Sequence, residues 1–403
     1  MSQTLISFLG RVPKTENGYR PTTYTFNSEP DEPTAFIGWT LHRRLKPDRL
    51  VILGTTGSMW DHLFEKDFVL GEEAENERLL LQEATEKKEV TTTLLKSLTP
   101  LLEKRLRCEI QLLIIPYCRT ENEQLELLRI MAAAVNTGDL VHLDVTHGFR
   151  HLPMIALLSA LHLRKVRNAD IRGIWYGAFD PDTGEAPIHD LAGLLRIASW
   201  VSALSTFDKD GDYSVFADRL DEDGLTVEGT NHLRRAAFFE RTSNPRDARN
   251  ELTNFNETLT RGLPGVSALF AEQLQERLKW HHRDNLFANQ VDLANFYRKR
   301  GDYIRAAIFA CEAFITRLID HEAGEKEDNY KTRKAALSAY TSKKRRQEWQ
   351  HLCSSYCLLR DLRNTLAHGN EPSNPNISGI IADEKRLNQE MERLIRVLLD
   401  NRE

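Results

Sequence analysis

Near its carboxyl end the chain reads Arg363-Asn364-Thr365-Leu366-Ala367-His368, with Gly369 next. A guanidinium is a permanent planar cation suited to phosphate, and an imidazole exchanges protons near neutral pH. An arginine and a histidine so spaced hold the two requirements of RNA cleavage without a metal: a fixed charge for the phosphate and a carrier for the proton. The pair alone is a weak signal, since it recurs by chance. Its ordinary reading is an ion-paired arginine and a histidine that caps a helix.

The neighbouring residues indicate what must position the pair. Trp349, Leu352, Cys353, Tyr356, Leu359 and Leu366 recur at three- and four-residue steps, which predicts an amphipathic helix with one packed face. Arg363 falls beside that stripe, where an unpaired charge is costly, so it needs a partner or a ligand. Glu312, on a mostly apolar segment, would serve as that partner if the two helices pack against each other. Gly369 and Pro372 mark a helix C-terminus at His368, and the negative end of the helix dipole would favour imidazolium there. Five helical steps turn the chain by about 140° and advance it about 7.5 Å, so one copy makes a poor pincer. Two copies across a two-fold axis would gather two arginines and two histidines around one phosphate.

A second constellation lies in the first half, at Asp144-Val145-Thr146-His147-Gly148-Phe149-Arg150. A strand ends at Thr146, Gly148 allows a tight turn, and Pro153 suits the first turn of a helix containing Met154, Ile155, Leu157, Leu158 and Leu161. A helix start at the carboxyl end of a parallel strand is a ready anion site, and His147 and Arg150 add donors. The turn Gly54-Thr55-Thr56-Gly57-Ser58 can add more. The plainer alternative is that Asp144 and Thr146 only cap the turn. Neither GxGxxG nor GxxxxGK[ST] occurs, which disfavours a dinucleotide or an NTP held in a P-loop.

Five β-rich runs, at residues 4–9, 50–53, 110–115, 141–146 and 171–176, alternate with helical ones and predict a doubly wound sheet. Residues 72–104 read as surface helix and 191–206 as an apolar helix. The acidic, glycine-bearing passage that follows reads as a solvated linker, because calcium-loop spacing is absent. Beyond residue 230 helical periodicity dominates, including a helix, the turn at Gly301 and a second helix. Lys331, Arg333, Lys334, Lys343, Lys344, Arg345 and Arg346, with Tyr340 among them, form a basic run suited to phosphate contacts.

At 403 residues two domains are the prior expectation, and a net charge of -5 excludes a uniformly basic nucleic-acid coat. There is no 18-residue apolar run and no leader-like start, so export and membrane insertion are not expected. The 5 cysteines contain no CxxC pair, which points to reduced thiols in cytoplasm. Cys353 and Cys357 read as core, and His281 and His282 as pointing to opposite sides of a helix, so no metal site is expected.

Taken together, Thr4-Leu-Ile-Ser-Phe-Leu-Gly10, Asp144-Val-Thr-His-Gly-Phe-Arg150 and Arg363-Asn-Thr-Leu-Ala-His368 resemble the CRISPR-associated ribonucleases that join a CARF domain to a HEPN domain, ancillary nucleases of type III systems. The resemblance implies an α/β plus all-α fold: a Rossmann-like CARF domain at residues 1–205, a linker at 206–229 and a helical HEPN domain at 230–403. It also implies a homodimer, or a higher homo-oligomer, that binds a cyclic oligoadenylate, cyclic tetra-adenylate by motif style, and then cleaves single-stranded RNA. Carried over by residue, Gly10, Arg11, Thr146, His147, Gly148, Phe149 and Arg150 would border the messenger. Thr55, Gly57 and Ser58 join them from the reading of their turn. Arg363, Asn364 and His368 would form the nuclease site. Two rival readings are a messenger-binding regulator that does not cut, and an enzyme at the CARF cleft that degrades its own activator. A third is an unrelated α/β binding protein with a helical dimerisation domain.

Overall fold

The structure is a computed structural model that describes residues 2–16, 18–64, 74–148, 152–323, 329–340, 350–369, 371–372 and 374–400. It divides into two compact units, Met1–Arg196 and Ile197–Glu403.

In the first unit every predicted β-rich run is a strand. These are β1 (Gln3–Leu9), β6 (Arg49–Gly54), β7 (Glu109–Ile114), β8 (Leu140–Asp144) and β9 (Asp170–Gly177). Five further strands complete the set: β2 (Lys14–Thr15), β3 (Gly18–Tyr19), β4 (Thr23–Phe26), β5 (Glu29–Pro30) and β10 (Glu185–Asp190). The main sheet runs β5-β4-β10-β9-β8-β1-β6-β7, and β2 pairs with β3 in a separate hairpin. β7, β6, β1, β8 and β9 are mutually parallel, whereas β10 runs antiparallel to β9. The chain leaves β1 for β6 on one side and later returns to β8 on the other. The crevice at the carboxyl ends of β1 and β8 is therefore the topological switch point, where open α/β sheets bind ligands.

Alternate residues of β1 face opposite ways, and both faces are covered, as parallel sheets require. Leu5 and Leu9 pack with residues of α1 (Ile37–Leu45), α2 (Glu75–Lys87) and α3 (Thr92–Leu106). Ile6 and Phe8 pack with residues of α4 (Glu121–Ala133) and α5 (Leu152–Val166).

The second unit is helical in its described residues. The division falls inside α6 (Gly193–Asp210), which is followed by α7 (Val215–Glu222), α8 (Val227–Arg241), α9 (Pro245–Arg261) and α10 (Ala271–Leu278). The expected hairpin is α11 (Leu286–Lys299) and α12 (Tyr303–Ala323), turning at Gly301 with φ +75°. Then come α13 (Tyr330–Tyr340), α14 (Gln350–His368), α15 (Pro375–Ile381) and α16 (Glu384–Leu399).

Residues 206–229 are not a solvated linker. Phe207, Tyr213, Phe216 and Leu220 lie in the second unit's core, and Asp208, Asp212 and Asp218 between them carry ion pairs. Asp208 meets Arg277 at 2.7 Å and Asp212 meets Arg241 at 2.9 Å. The helical unit thus begins at about residue 197 rather than at 230. His281 and His282 also depart from expectation. They occupy a 3-10 turn, where their ring centroids lie 3.9 Å apart instead of facing opposite ways. Among the described residues no helix is long and apolar enough to cross a membrane.

Candidate functional site

At the carboxyl edge of the sheet, hydrogen bonds and one close approach lace together the loops that follow four strands. Gly10 ends the β1 run, and a Cβ added to it would lie 2.7 Å from the backbone nitrogen of Gly148. Only glycine allows the loops after β1 and β8 to approach so closely. Gly148 itself sits at φ +116°. The Gly10 carbonyl accepts from Met59 N–H at 2.9 Å, which ties in the loop after β6. Thr146 Oγ1 accepts from Gly177 N–H at 2.8 Å, which ties in the end of β9. Arg11 and Gly148 are exposed on this edge.

Beneath the turn, β1 and β8 place Ser7 opposite Asp144. Asp144 is fully buried, accepts from the Ser7 hydroxyl, and accepts from Thr146 N–H at 2.9 Å. Burial pushes its carboxyl up to about 6 against the pull of those hydrogen bonds. Asp144 and Thr146 therefore do cap this turn, as the plainer reading held, and the backbone of the turn is what they present to the edge.

His147 does not carry charge to the site. Its Nε2 accepts from Ile37 N–H at 3.4 Å and lies 3.3 Å from the Tyr24 hydroxyl, which leaves the ring proton on Nδ1. Burial, and then the neighbouring His62, push its pKa down to about 4, so the ring is neutral near pH 7. Thr55 and Ser58 are likewise occupied: Thr55 N–H donates to Ser58 Oγ at 2.9 Å, and both residues are buried. Gly57 is half-buried, and a Cβ there would meet Lys88 and the Tyr117 hydroxyl at 3.1 Å. Phe149 and Arg150 lie outside the described residues.

In the second unit, Cys353, Tyr356, Leu359 and Leu362 are the buried face of α14, with Leu352 and Leu366 partly buried beside them. Tyr356 stacks on Phe314 of α12, with ring centroids 5.0 Å apart. Trp349 lies outside the described residues. The helix ends as predicted: Gly369 has φ +63° and its N–H donates to the Thr365 carbonyl at 2.9 Å.

Arg363 is half-buried rather than enclosed, and Asn364 and His368 are exposed. The guanidinium grips its neighbour, donating to Asn364 Oδ1 from Nη2 at 2.7 Å and from Nε at 3.2 Å. Its charge also reaches Cys311 on α12, whose thiol burial pushes up to about 12. Asn364 stands four residues before His368, on the same helix face. It therefore draws the guanidinium toward the side on which the imidazole stands, despite the turn of about 140° between Arg363 and His368.

Glu312 is not the partner of Arg363. It pairs with Arg333 at 2.6 Å, and Arg333 Nη2 also donates to the Glu312 carbonyl at 2.9 Å. Arg333 of the basic run is thus engaged inside the unit, and Tyr340 is buried edge-on against Phe314 instead of open for base stacking. Lys331 and Lys334 are exposed, while Lys343, Lys344, Arg345 and Arg346 lie outside the described residues.

Residues 4–181 match the family described as the CARF domain of the CRISPR system endoribonuclease Csx1. The α/β unit matches a CARF domain. The chain is also 22% identical over 380 residues to CRISPR-associated protein MJ1674 of Methanocaldococcus jannaschii, an alignment that covers 87% of this chain. The chain spans only 59% of that relative's length. A solved structure, Enterococcus italicus Csm6 bound to cyclic hexa-2'-fluoro-hexa-dAMP, is similar over 98% of this chain and 94% of its own, at 14% identity and a TM-score of 0.39. The chain thus joins a CARF-matching α/β unit to a helical unit and is similar to CRISPR-associated proteins.

Sequence reasoning passed over several residues on the CARF-matching edge. Tyr24 reaches His147, and Tyr19 donates to buried Asp61 at 2.8 Å, with Lys14 3.5 Å from the same carboxylate. Their stretch, residues 11–34, has no periodicity to announce strands. The tyrosines in that polar context were its one available signal.

Proposed function

We propose that this protein is a metal-independent endoribonuclease of type III CRISPR defence, switched on by a cyclic oligoadenylate at the CARF-matching edge. In this reading the helical unit is a HEPN domain and two copies form the active enzyme. The observation that carries the proposal is the grouping at the end of α14: Arg363 bonded to Asn364, and Asn364 one turn before the exposed His368.

The chemistry follows from those groups. The RNA 2'-hydroxyl attacks the adjacent phosphate, giving a 2',3'-cyclic phosphate and a 5'-hydroxyl end. One imidazole accepts the 2'-hydroxyl proton, and its two-fold mate, in protonated form, gives a proton to the leaving 5'-oxygen. Arg363 stabilises the extra negative charge of the pentacoordinate transition state, and Asn364 fixes the guanidinium for that role. At the CARF-matching edge, exposed Arg11 and the backbone around Gly10 and Gly148 support phosphate binding, and Phe149 and Arg150 belong to the same motif. A messenger that favours one arrangement of the dimer shifts activity by its difference in affinity and no more.

A substrate with 2'-deoxyribose at the scissile nucleotide tests the chemistry. It is expected to stay intact while the all-ribose strand is cut; cleavage of both at equal rates would remove the 2'-hydroxyl mechanism.

A further inference from the structure

The connection from β9 to β10 carries an exposed aromatic ring that none of the contacts above explains. Phe179 is 42% exposed, although burying a phenyl side chain is worth about 1.5–3 kcal/mol. It is not on a loose loop. Ala178 N–H donates to the Pro187 carbonyl at 2.9 Å and Asp180 N–H to the Glu185 carbonyl at 2.8 Å, so the ladder continues past the strands on both sides of it. An ordered hairpin therefore holds the ring out in solvent.

Its position follows from strand alternation. Trp175, Gly177 and Phe179 fall on one face of β9 and its extension. On that face a Cβ at Gly177 would meet Tyr24 at 2.8 Å and Ile37 at 2.9 Å, two of the residues that contact His147. Phe179 lies one alternation beyond them, and Gly177 N–H anchors the strand end to Thr146. The guanidinium carbon of Arg20, which is exposed, lies 4.8 Å from the Phe179 ring centroid. Arg20 is also close enough for its charge to act on the Tyr24 hydroxyl. The edge that ends in the Thr146–Gly148 turn thus has at its flank a rigid ring with a cation over it.

We propose that Phe179 and Arg20 form a purine-stacking platform that takes one adenine of the cyclic oligoadenylate, with Arg20 neutralising the adjoining phosphate. The inference rests on the reading of this edge as the activator site. Stacking on aromatic rings suits any base, and a guanidinium beside the ring supplies both cation-π attraction and phosphate charge. In a symmetric dimer the platform occurs twice, at opposite ends of a symmetric ring.

The test uses the full chain and cyclic tetra- and hexa-adenylate carrying 2-aminopurine in place of one adenine. Wild type is expected to bind one ring and quench its fluorescence. Phe179→Ala should weaken binding about 100-fold, about tenfold for each of the two base–aromatic stacks the dimer loses, and lose part of the quench. Phe179→Trp should restore both. Equal affinity and quench in Phe179→Ala would overturn the platform and leave the activator site standing. Weaker binding with an unchanged quench, accompanied by dissociation of the dimer in sedimentation, would also overturn it, because the ring would then contact a second copy. No binding of either ring by wild type would remove the activator site and the platform with it.

Discussion

Asn364 links the two groups that do the proposed chemistry, since its carbonyl oxygen holds the Arg363 guanidinium and its helix position aligns it with His368. His368→Ala should therefore lower the single-turnover cleavage rate by about 100-fold or more, the usual contribution of a positioned acid or base. Asn364→Ala should cost about tenfold through loss of positioning, and Asn364→Asp should not restore the rate, because a carboxylate would neutralise the guanidinium that must meet phosphate. A rate unchanged in His368→Ala would exclude the imidazole from the reaction. A different residue sets a stability profile. Glu240 is buried, accepts from the Tyr297 hydroxyl, and has its carboxyl pushed by burial up to about 7 from an ordinary 4.5. A raised carboxyl favours folding fully below about pH 4.5, and the benefit is lost as pH rises through 7. Glu240→Gln should therefore gain stability relative to wild type between pH 5 and pH 8, by at most about 3 kcal/mol, in urea unfolding. Parallel pH profiles for the two proteins would show that the carboxyl is not strained by ionisation.

At the scale of elements, the close approach of Gly10 to Gly148 joins the β1 and β8 loops, and no flexible side chain is there to yield. Gly10→Ala should part the loops, raise the activator concentration for half-maximal cutting about tenfold and lower Tm by a few degrees, a shift equivalent to about 1 kcal/mol. An unchanged activation curve would mean that the loops are not part of the ligand edge. The five parallel strands were legible because strands buried on both faces read as apolar runs. β4, β5 and β10 were not legible: β4 and β5 are short, β10 is partly polar and contains Pro187, and β4 pairs with β10 across a long separation in sequence. The passage 206–229 misled because its acids looked solvated, whereas Arg277 and Arg241 meet Asp208 and Asp212 across long separations. Its buried aromatics, Phe207, Tyr213 and Phe216, were the signal to weigh. The α14 stripe and its glycine stop were readable from spacing. The Arg333 partner of Glu312, the grip of Arg363 on Asn364 and the neutral His147 were not, since each depends on side-chain geometry.

For the whole molecule, the proposed cleavage site is complete only in a pair of copies, which makes assembly a condition of activity. α5 leaves Met154 72% and Leu158 60% exposed, one helical turn apart, an apolar face suited to a second copy. Leu158→Asp should convert a dimer to monomer in sedimentation equilibrium and abolish cutting with it; a dimer that persists would place the interface elsewhere. Whether a cyclic oligoadenylate at one unit commands RNA cleavage at the other is read out by one assay. Labelled single-stranded RNA is incubated in EDTA with wild type or His368→Ala protein, with no ring, with cyclic tetra-adenylate or with cyclic hexa-adenylate. Cutting is expected to require one ring and to disappear in His368→Ala. Cutting that is equally fast without any ring, or that survives in His368→Ala, would contradict that expectation.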